Sequence, residues 1–216
     1  MRKILLTGFE PFGGEKINPS WEAASRLDGE FFGDFQVHSR QLPCTFSGSC
    51  IILQQFIEEI QPEIILCIGQ AGGRSEISLE RVAINLIDAR IPDNQGSQPL
   101  NSKIIAAAPD GYLCNLPLKA LSQKIRNAGI PAGISYTAGT FVCNQVFFFT
   151  LDYIARNNPA LKGGFIHIPY LPQQVADLNT NQPSMDLATV VAGLKLLIAG
   201  VISTEEDDNL IAGTVC

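Results

Sequence analysis

Apolar and polar positions fall into short runs whose period changes along the chain. Lys3–Thr7 is a largely apolar stretch ended by Gly8, the pattern of a strand buried on both faces. Asn18-Pro19 offers a side-chain acceptor and then a residue whose fixed φ suits the first helical position, so a helix is expected to run from there to about Leu27. Phe35–Leu42 alternates as a strand, and Ser49–Ile60 carries Ile52, Phe56 and Ile60 at helical spacing before Pro62 stops it. Glu63–Gly69 is a second continuous apolar strand, and Glu80–Ile87 alternates. Leu118, Leu121 and Ile125 make one face of a helix over Leu116–Ala128, closed by Gly129. Gly133–Tyr136 reads as a strand, Cys143–Arg156 as a helix, Phe165–Pro169 as a strand and Asp186–Ile202 as a closing helix. Strands alternating with helices predict an α/β domain with a largely parallel sheet covered on both faces, its site at the carboxyl ends of the strands.

Composition narrows this picture. The 216 residues are 46% hydrophobic, which suits one domain over 1–216 around a single core. Residues 203–216, with Glu205-Glu206-Asp207-Asp208, read as a solvated extension. The net charge of −6 opposes a phosphate backbone, so nucleic acid is not an expected partner. The first apolar run stops after Leu6, too short for a secretory signal, and Lys195 interrupts VVAGLKLLIAG. No membrane span is expected, and the cytoplasm is the expected setting. The cysteines (44, 50, 67, 114, 143 and 216) are scattered without a CxxC pair, and the histidines are His38 and His167 alone. Neither a disulfide framework nor a metal site is expected.

Four features could carry chemistry. The loop Gly8-Phe9-Glu10-Pro11-Phe12-Gly13-Gly14 follows the first strand, but Gly14 and Glu15 stand where a phosphate loop needs Lys and Ser or Thr. No GxGxxG occurs. What the loop offers is two phenylalanines on a turn at a strand end. Cys143 follows a small-residue turn and opens an apolar helix, where free N–H groups and the dipole favour a thiolate and can receive an oxyanion. His167 lies on the next strand, and a right-handed crossover between adjacent parallel strands would bring it to the same sheet edge as a general base. His38, on a polar alternating face, reads as surface. For the group that orients the imidazole, Glu80, Asp88 and Asp93 remain open.

Together these segments resemble the pyroglutamyl-peptidase I (pyrrolidone-carboxylate peptidase) family of cysteine peptidases. The stretches that carry the resemblance are LLTGFEPFGG with NPSWEA, GQAGGR with LERVAINLIDARIPDNQG, AGTFVCN and GGFIHIPYLPQQ. The resemblance implies a three-layer α/β sandwich of the phosphorylase/hydrolase type, no cofactor, and commonly a homotetramer. It also implies hydrolysis of an N-terminal pyroglutamyl residue from peptides through a thioester. By the motifs, Cys143 matches the nucleophile, His167 the base and Glu80 the acid. Pyroglutamate is a neutral lactam, so its pocket needs flat apolar walls and a few hydrogen bonds. Phe9 and Phe12 could form walls, with Phe141 and Val142 beside the nucleophile. Asn18, Gln70 and Arg90 resemble site-lining positions, Gln70 toward the ring and Arg90 toward the oxyanion. Cys44, in Leu-Pro-Cys-Thr, is expected to face the pocket. The rival readings are a hydrolase or nucleoside phosphorylase of related fold and a non-enzymatic binding protein on the same scaffold.

Overall fold

The first apolar run forms β1 (Arg2–Phe9), buried from Ile4 to Phe9, in a computed structural model that describes residues 1–176, 181–208, 211 and 213. The order continues α1 (Pro19–Ser25), β2 (Phe31–Phe32), β3 (Phe35–Leu42), α2 (Ser49–Ile60), β4 (Ile64–Gln70), β5 (Ile77–Glu80), β6 (Val82–Ile84) and β7 (Gly111–Leu113). Then come α3 (Leu118–Asn127), β8 (Ala132–Ser135), α4 (Val142–Asn157), β9 (Lys162–Ile168), α5 (Pro172–Val175) and α6 (Leu187–Ser203). Among the described residues, seven strands form one sheet in the order β2-β3-β1-β4-β9-β5-β8, and β6 and β7 pair separately. β3, β1, β4 and β9 run parallel, while β2 is antiparallel on the edge. β5 is antiparallel to β9 and parallel to β8. The sheet is therefore largely parallel but reverses direction between β9 and β5.

Both faces are covered. Gly163 of β9 faces Ile154 and Thr150 of α4, whereas the next residue, Gly164, faces Leu116 ahead of α3. Successive strand residues point to opposite faces, so α4 and α3 lie on opposite sides. α2 packs with α4, and α1 and α3 pack with α6. The result is a three-layer α/β sandwich around one apolar core that includes Leu5, Leu66, Phe147, Phe165 and Leu194.

Local signals behave as their chemistry requires. Asn18 caps α1 by accepting from the Ser20 N–H at 3.0 Å, with Pro19 opening the helix. Asp186 caps α6 through the Thr189 N–H at 3.0 Å. Gly129 has φ +78° just beyond α3. The single strand expected over Glu80–Ile87 is instead two. β5 ends at Glu80, and the chain leaves the main sheet at Arg81, whose N–H donates to Ser135 O at 2.7 Å and whose carbonyl accepts from Cys114 N at 2.9 Å. β5 is buried at all four positions, so alternation could not mark it. Of the expected extension, Thr204–Asp208 is part-exposed to exposed, yet Asp207 is tied down: its Oδ1 accepts from Lys119 N at 2.8 Å and Ala120 N at 3.1 Å, capping α3. Cys216 lies outside the described residues.

Candidate active site

The parallel register fixes the central group. His167 of β9 pairs with Gly69 of β4 on one side and with Ser78 of β5 on the other. Glu80 lies two residues beyond Ser78, hence on the same face of the sheet and diagonal to His167. His167 Nδ1 is 2.7 Å from Glu80 Oε1. Glu80 is fully buried, and a buried carboxylate requires partners. The second partner is Arg74, on the loop between β4 and β5. Its Nη1 donates to that same Oε1 at 2.6 Å and its Nη2 to Thr137 O at 2.9 Å.

Cys143 is the second residue of α4, and the N-cap position, Phe141, has no side-chain cap bond. The first-turn N–H groups therefore remain available. The sulfur sits directly over Gly69: a Cβ built there would lie 2.9 Å from Cys143 Sγ and 2.8 Å from Phe165 Cζ. This corrects the expected crossover. β8 and β9 are not neighbours, since β5 lies between them and runs against β9. Cys143 and His167 converge because α4 crosses β4 and β9 on one face, not because their strands adjoin.

Phe12, Gln70, Arg90, Phe141, Cys143 and His167 line one cleft of about 510 Å³, with Arg74, Asp88, Ile91 and Tyr170 also in its walls. Phe12 and Phe141 have ring centroids 6.1 Å apart, and Phe46 meets the Phe141 ring edge-on at 5.1 Å. Gln70 Oε1 accepts from Gln174 Nε2 at 3.0 Å. Three expected lining residues are elsewhere. Phe9 is 2% exposed and packs against Phe165, because it ends a strand buried from Ile4 onward. Asn18 is spent on the α1 cap and on Glu10 O, to which its Nδ2 donates at 2.9 Å. Val142 begins α4 but is fully buried. Cys44 is also buried and outside the cleft walls.

The alternatives left open by sequence separate cleanly. Asp93 is buried and accepts from the N–H groups of Phe46, Gln95 and Ser97, closing a loop. Asp88 is exposed on the cleft rim. Glu80 alone of the three bonds His167. His38 is half-buried on β3 and lines no part of the cleft.

Burial pushes the Cys143 thiol well above its ordinary range; Cys44 and Glu80 add to this, and Arg74 opposes it. The helix N-terminus also favours the thiolate. Two site-forming residues carried no role in the sequence reading. One is Arg74. The other is Asn144, whose Oδ1 accepts from Ile84 N at 3.1 Å and whose Nδ2 donates to Ile84 O at 2.8 Å and Leu86 O at 3.0 Å. Both lie inside the motifs GQAGGR and AGTFVCN, but bonds to groups on other segments leave no local period. Among the described residues, no group of three or more His, Cys, Asp or Glu side chains could hold a metal, and no helix is long and apolar enough to cross a membrane.

Comparison with known proteins decides the lineage. A pyroglutamyl peptidase family model matches residues 2–204. The chain belongs to the pyroglutamyl peptidase family. With it come the cysteine-type hydrolases as its enzyme class. It is 50% identical over 214 residues to the pyrrolidone-carboxylate peptidase of Bacillus cytotoxicus, covering 99% of both chains. It is 49% identical to that of Yersinia pestis over 215 residues, covering 100% of both. Among solved structures, pyroglutamyl peptidase I from Bacillus amyloliquefaciens superposes with a TM-score of 0.93 at 47% identity, covering 97% of this chain and 99% of that one. Pyrrolidone carboxyl peptidase from Thermococcus litoralis gives 0.93 at 43% identity, covering 98% and 99%.

Proposed function

We propose that this chain removes the N-terminal pyroglutamyl residue from peptides with a Cys143–His167–Glu80 triad. The observation that carries the reading is the buried 2.7 Å bond from His167 Nδ1 to Glu80 in the wall of the cleft that also holds Cys143. With Nδ1–H donated to a carboxylate, Nε2 is left as the basic nitrogen. The Cys143 proton passes to His167 as sulfur attacks the pyroglutamyl carbonyl. The C=O electron pair moves to oxygen, which the first-turn N–H groups of α4 and Arg90 stabilise. The C–N bond then breaks, and His167 returns the proton to the departing amine. Water, deprotonated by His167, cleaves the resulting thioester and releases pyroglutamate and the thiol.

Pyroglutamate is a neutral lactam, and the cleft meets it with ring faces and amide groups. Phe12 and Phe141 supply the flat walls and Gln70 a hydrogen-bonding edge. Activity in the cytoplasm and assembly as a homotetramer belong to the same reading, and light scattering on the purified protein tests the tetramer. The deciding experiment is release of the fluorescent amine from pyroglutamyl-7-amido-4-methylcoumarin by the reduced protein. Turnover is expected, and is expected to be lost on iodoacetamide treatment and in Cys143→Ala. A folded Cys143→Ala variant that still turns over would overturn the assignment.

A further inference from the structure

Arg74 makes two contacts that no role assigned above uses. Its guanidinium meets Glu80 Oε1, the oxygen already bonded to His167 Nδ1, and reaches Thr137 O on the loop that leads into α4. It also lines the cleft with Cys143 and His167. Among the described residues Glu80 Oε2 is buried without a hydrogen-bond partner, so the contacts to this carboxylate from His167 and Arg74 converge on one shared oxygen.

Counting charge shows what that sharing does. With a thiol and a neutral imidazole, the cluster holds Glu80⁻ and Arg74⁺ and sums to zero. With the proton moved to His167, it holds Cys143⁻, His167⁺, Glu80⁻ and Arg74⁺ and again sums to zero. Without Arg74 both states carry a net negative charge in a buried site, which opposes formation of a second anion at Cys143. We propose that Arg74 is a positioning residue that balances the charge of the triad and holds Glu80 against His167, so that Cys143 can ionise near neutral pH. This rests on the triad assignment proposed above.

The surroundings leave that task to Arg74. The thiols nearest the cluster, Cys44 after β3, Cys67 on β4 and Cys114 after β7, are held protonated by burial. Arg81, beside Glu80, has Asp207 at 3.7 Å. Asp88 and Arg90 are exposed, opposite in sign and on the rim. Glu76 lies against Gly133 of β8. Arginine suits the position because its planar fork reaches two acceptors at once; lysine offers the charge but not the fork.

The test reads Cys143 directly, so it does not depend on turnover. The rate of Cys143 alkylation by iodoacetamide is followed by mass spectrometry from pH 5 to 10. In Arg74→Met the midpoint is expected to rise by about one pH unit, the scale of a single charge at this range. In Arg74→Lys it should stay near wild type, while kcat/KM falls because Thr137 is released. The charge-matched Glu80→Gln/Arg74→Met variant should return the midpoint toward wild type, which a merely structural role could not produce. That double variant, with Arg74→Lys, also carries the test if Arg74→Met does not fold. An unmoved midpoint in folded Arg74→Met overturns the proposal, as does a double variant displaced as far as Arg74→Met or an Arg74→Lys shift equal to it. Failure of the wild type to cleave pyroglutamyl amides would instead refute the peptidase reading, with the alkylation series still deciding the role of Arg74.

Discussion

Gly69→Ala should disable the enzyme with the smallest possible addition. A methyl group there would lie 2.9 Å from Cys143 Sγ and 2.8–2.9 Å from two carbons of the Phe165 ring, against ~3.5–4.0 Å for a relaxed carbon contact. Phe165 cannot yield, because it is buried between Phe9, Phe147 and His167, with ring centroids at 6.3, 5.9 and 4.9 Å. The displacement therefore falls on the first turn of α4, by about 1 Å, and a misplacement of that size costs ~100-fold in rate. Overpacking should also cost about 1–3 kcal/mol of stability, at roughly 2–4 °C of Tm per kcal/mol for a chain of this size. Gly163→Ala is the control. It faces the same helix near the start of β9, where the added methyl meets Ile154 Cδ1 at 2.5 Å, so it should lower Tm and leave kcat intact. Hydrolysis of the coumarin amide and thermal melts of both variants decide the matter. A Gly69→Ala protein with kcat/KM within about threefold of wild type would refute the claim that Cys143, the proposed nucleophile, is set by close packing over β4.

Two further outcomes concern stability. Asp207 accepts two N–H groups at the start of α3, where Pro117 provides no side-chain cap. Asp207→Ala should cost about 1 kcal/mol, seen as a lower Tm with unchanged turnover; an unchanged Tm would mean the contact contributes nothing. Burial raises the Cys67 thiol to about 11 and Cys114 to about 12, from an ordinary 9.0. The folded state thus keeps protons that the unfolded chain gives up, so this stability is intact below pH 9 and is lost as pH climbs toward 11–12. Urea midpoints under reducing conditions should fall across that window, by up to about 1.4 kcal/mol per pH unit for each thiol. A flat profile to pH 10.5 would contradict the burial argument.

What sequence makes legible here is whatever a local period or cap can encode. Ile52, Phe56 and Ile60 mark α2, Asn18-Pro19 marks α1 and Asp186 marks α6, because each depends only on neighbours a turn away. β5 escaped as a separate strand because all four of its residues are buried, which leaves no polar position to alternate with. β2 and β7 are too short to show any period. The reversal between β9 and β5 is a long-range pairing, and nothing within either strand records the direction of its neighbour.

That reversal bears on how the site could be read at all. Cys143 and His167 were expected together because successive parallel strands usually adjoin, yet β5 separates β8 from β9 and runs the other way. The intervening strand is what carries Glu80. Were β8 and β9 adjacent, Ser78 could not pair with His167 and Glu80 could not lie diagonal to it. The insertion that defeats the simple crossover argument is therefore the device that delivers the carboxylate. It also explains the division among the lining residues. Phe12 and Arg90 lie on loops, Phe141 caps α4 and Gln70 ends β4, all facing the cleft, whereas Phe9 ends β1 in the core, Asn18 is consumed by the α1 cap and Val142 is buried in the first turn of α4. Phe141 and Val142 are neighbours, one in the cleft wall and one in the core, and only the packing of the completed fold fixes which is which.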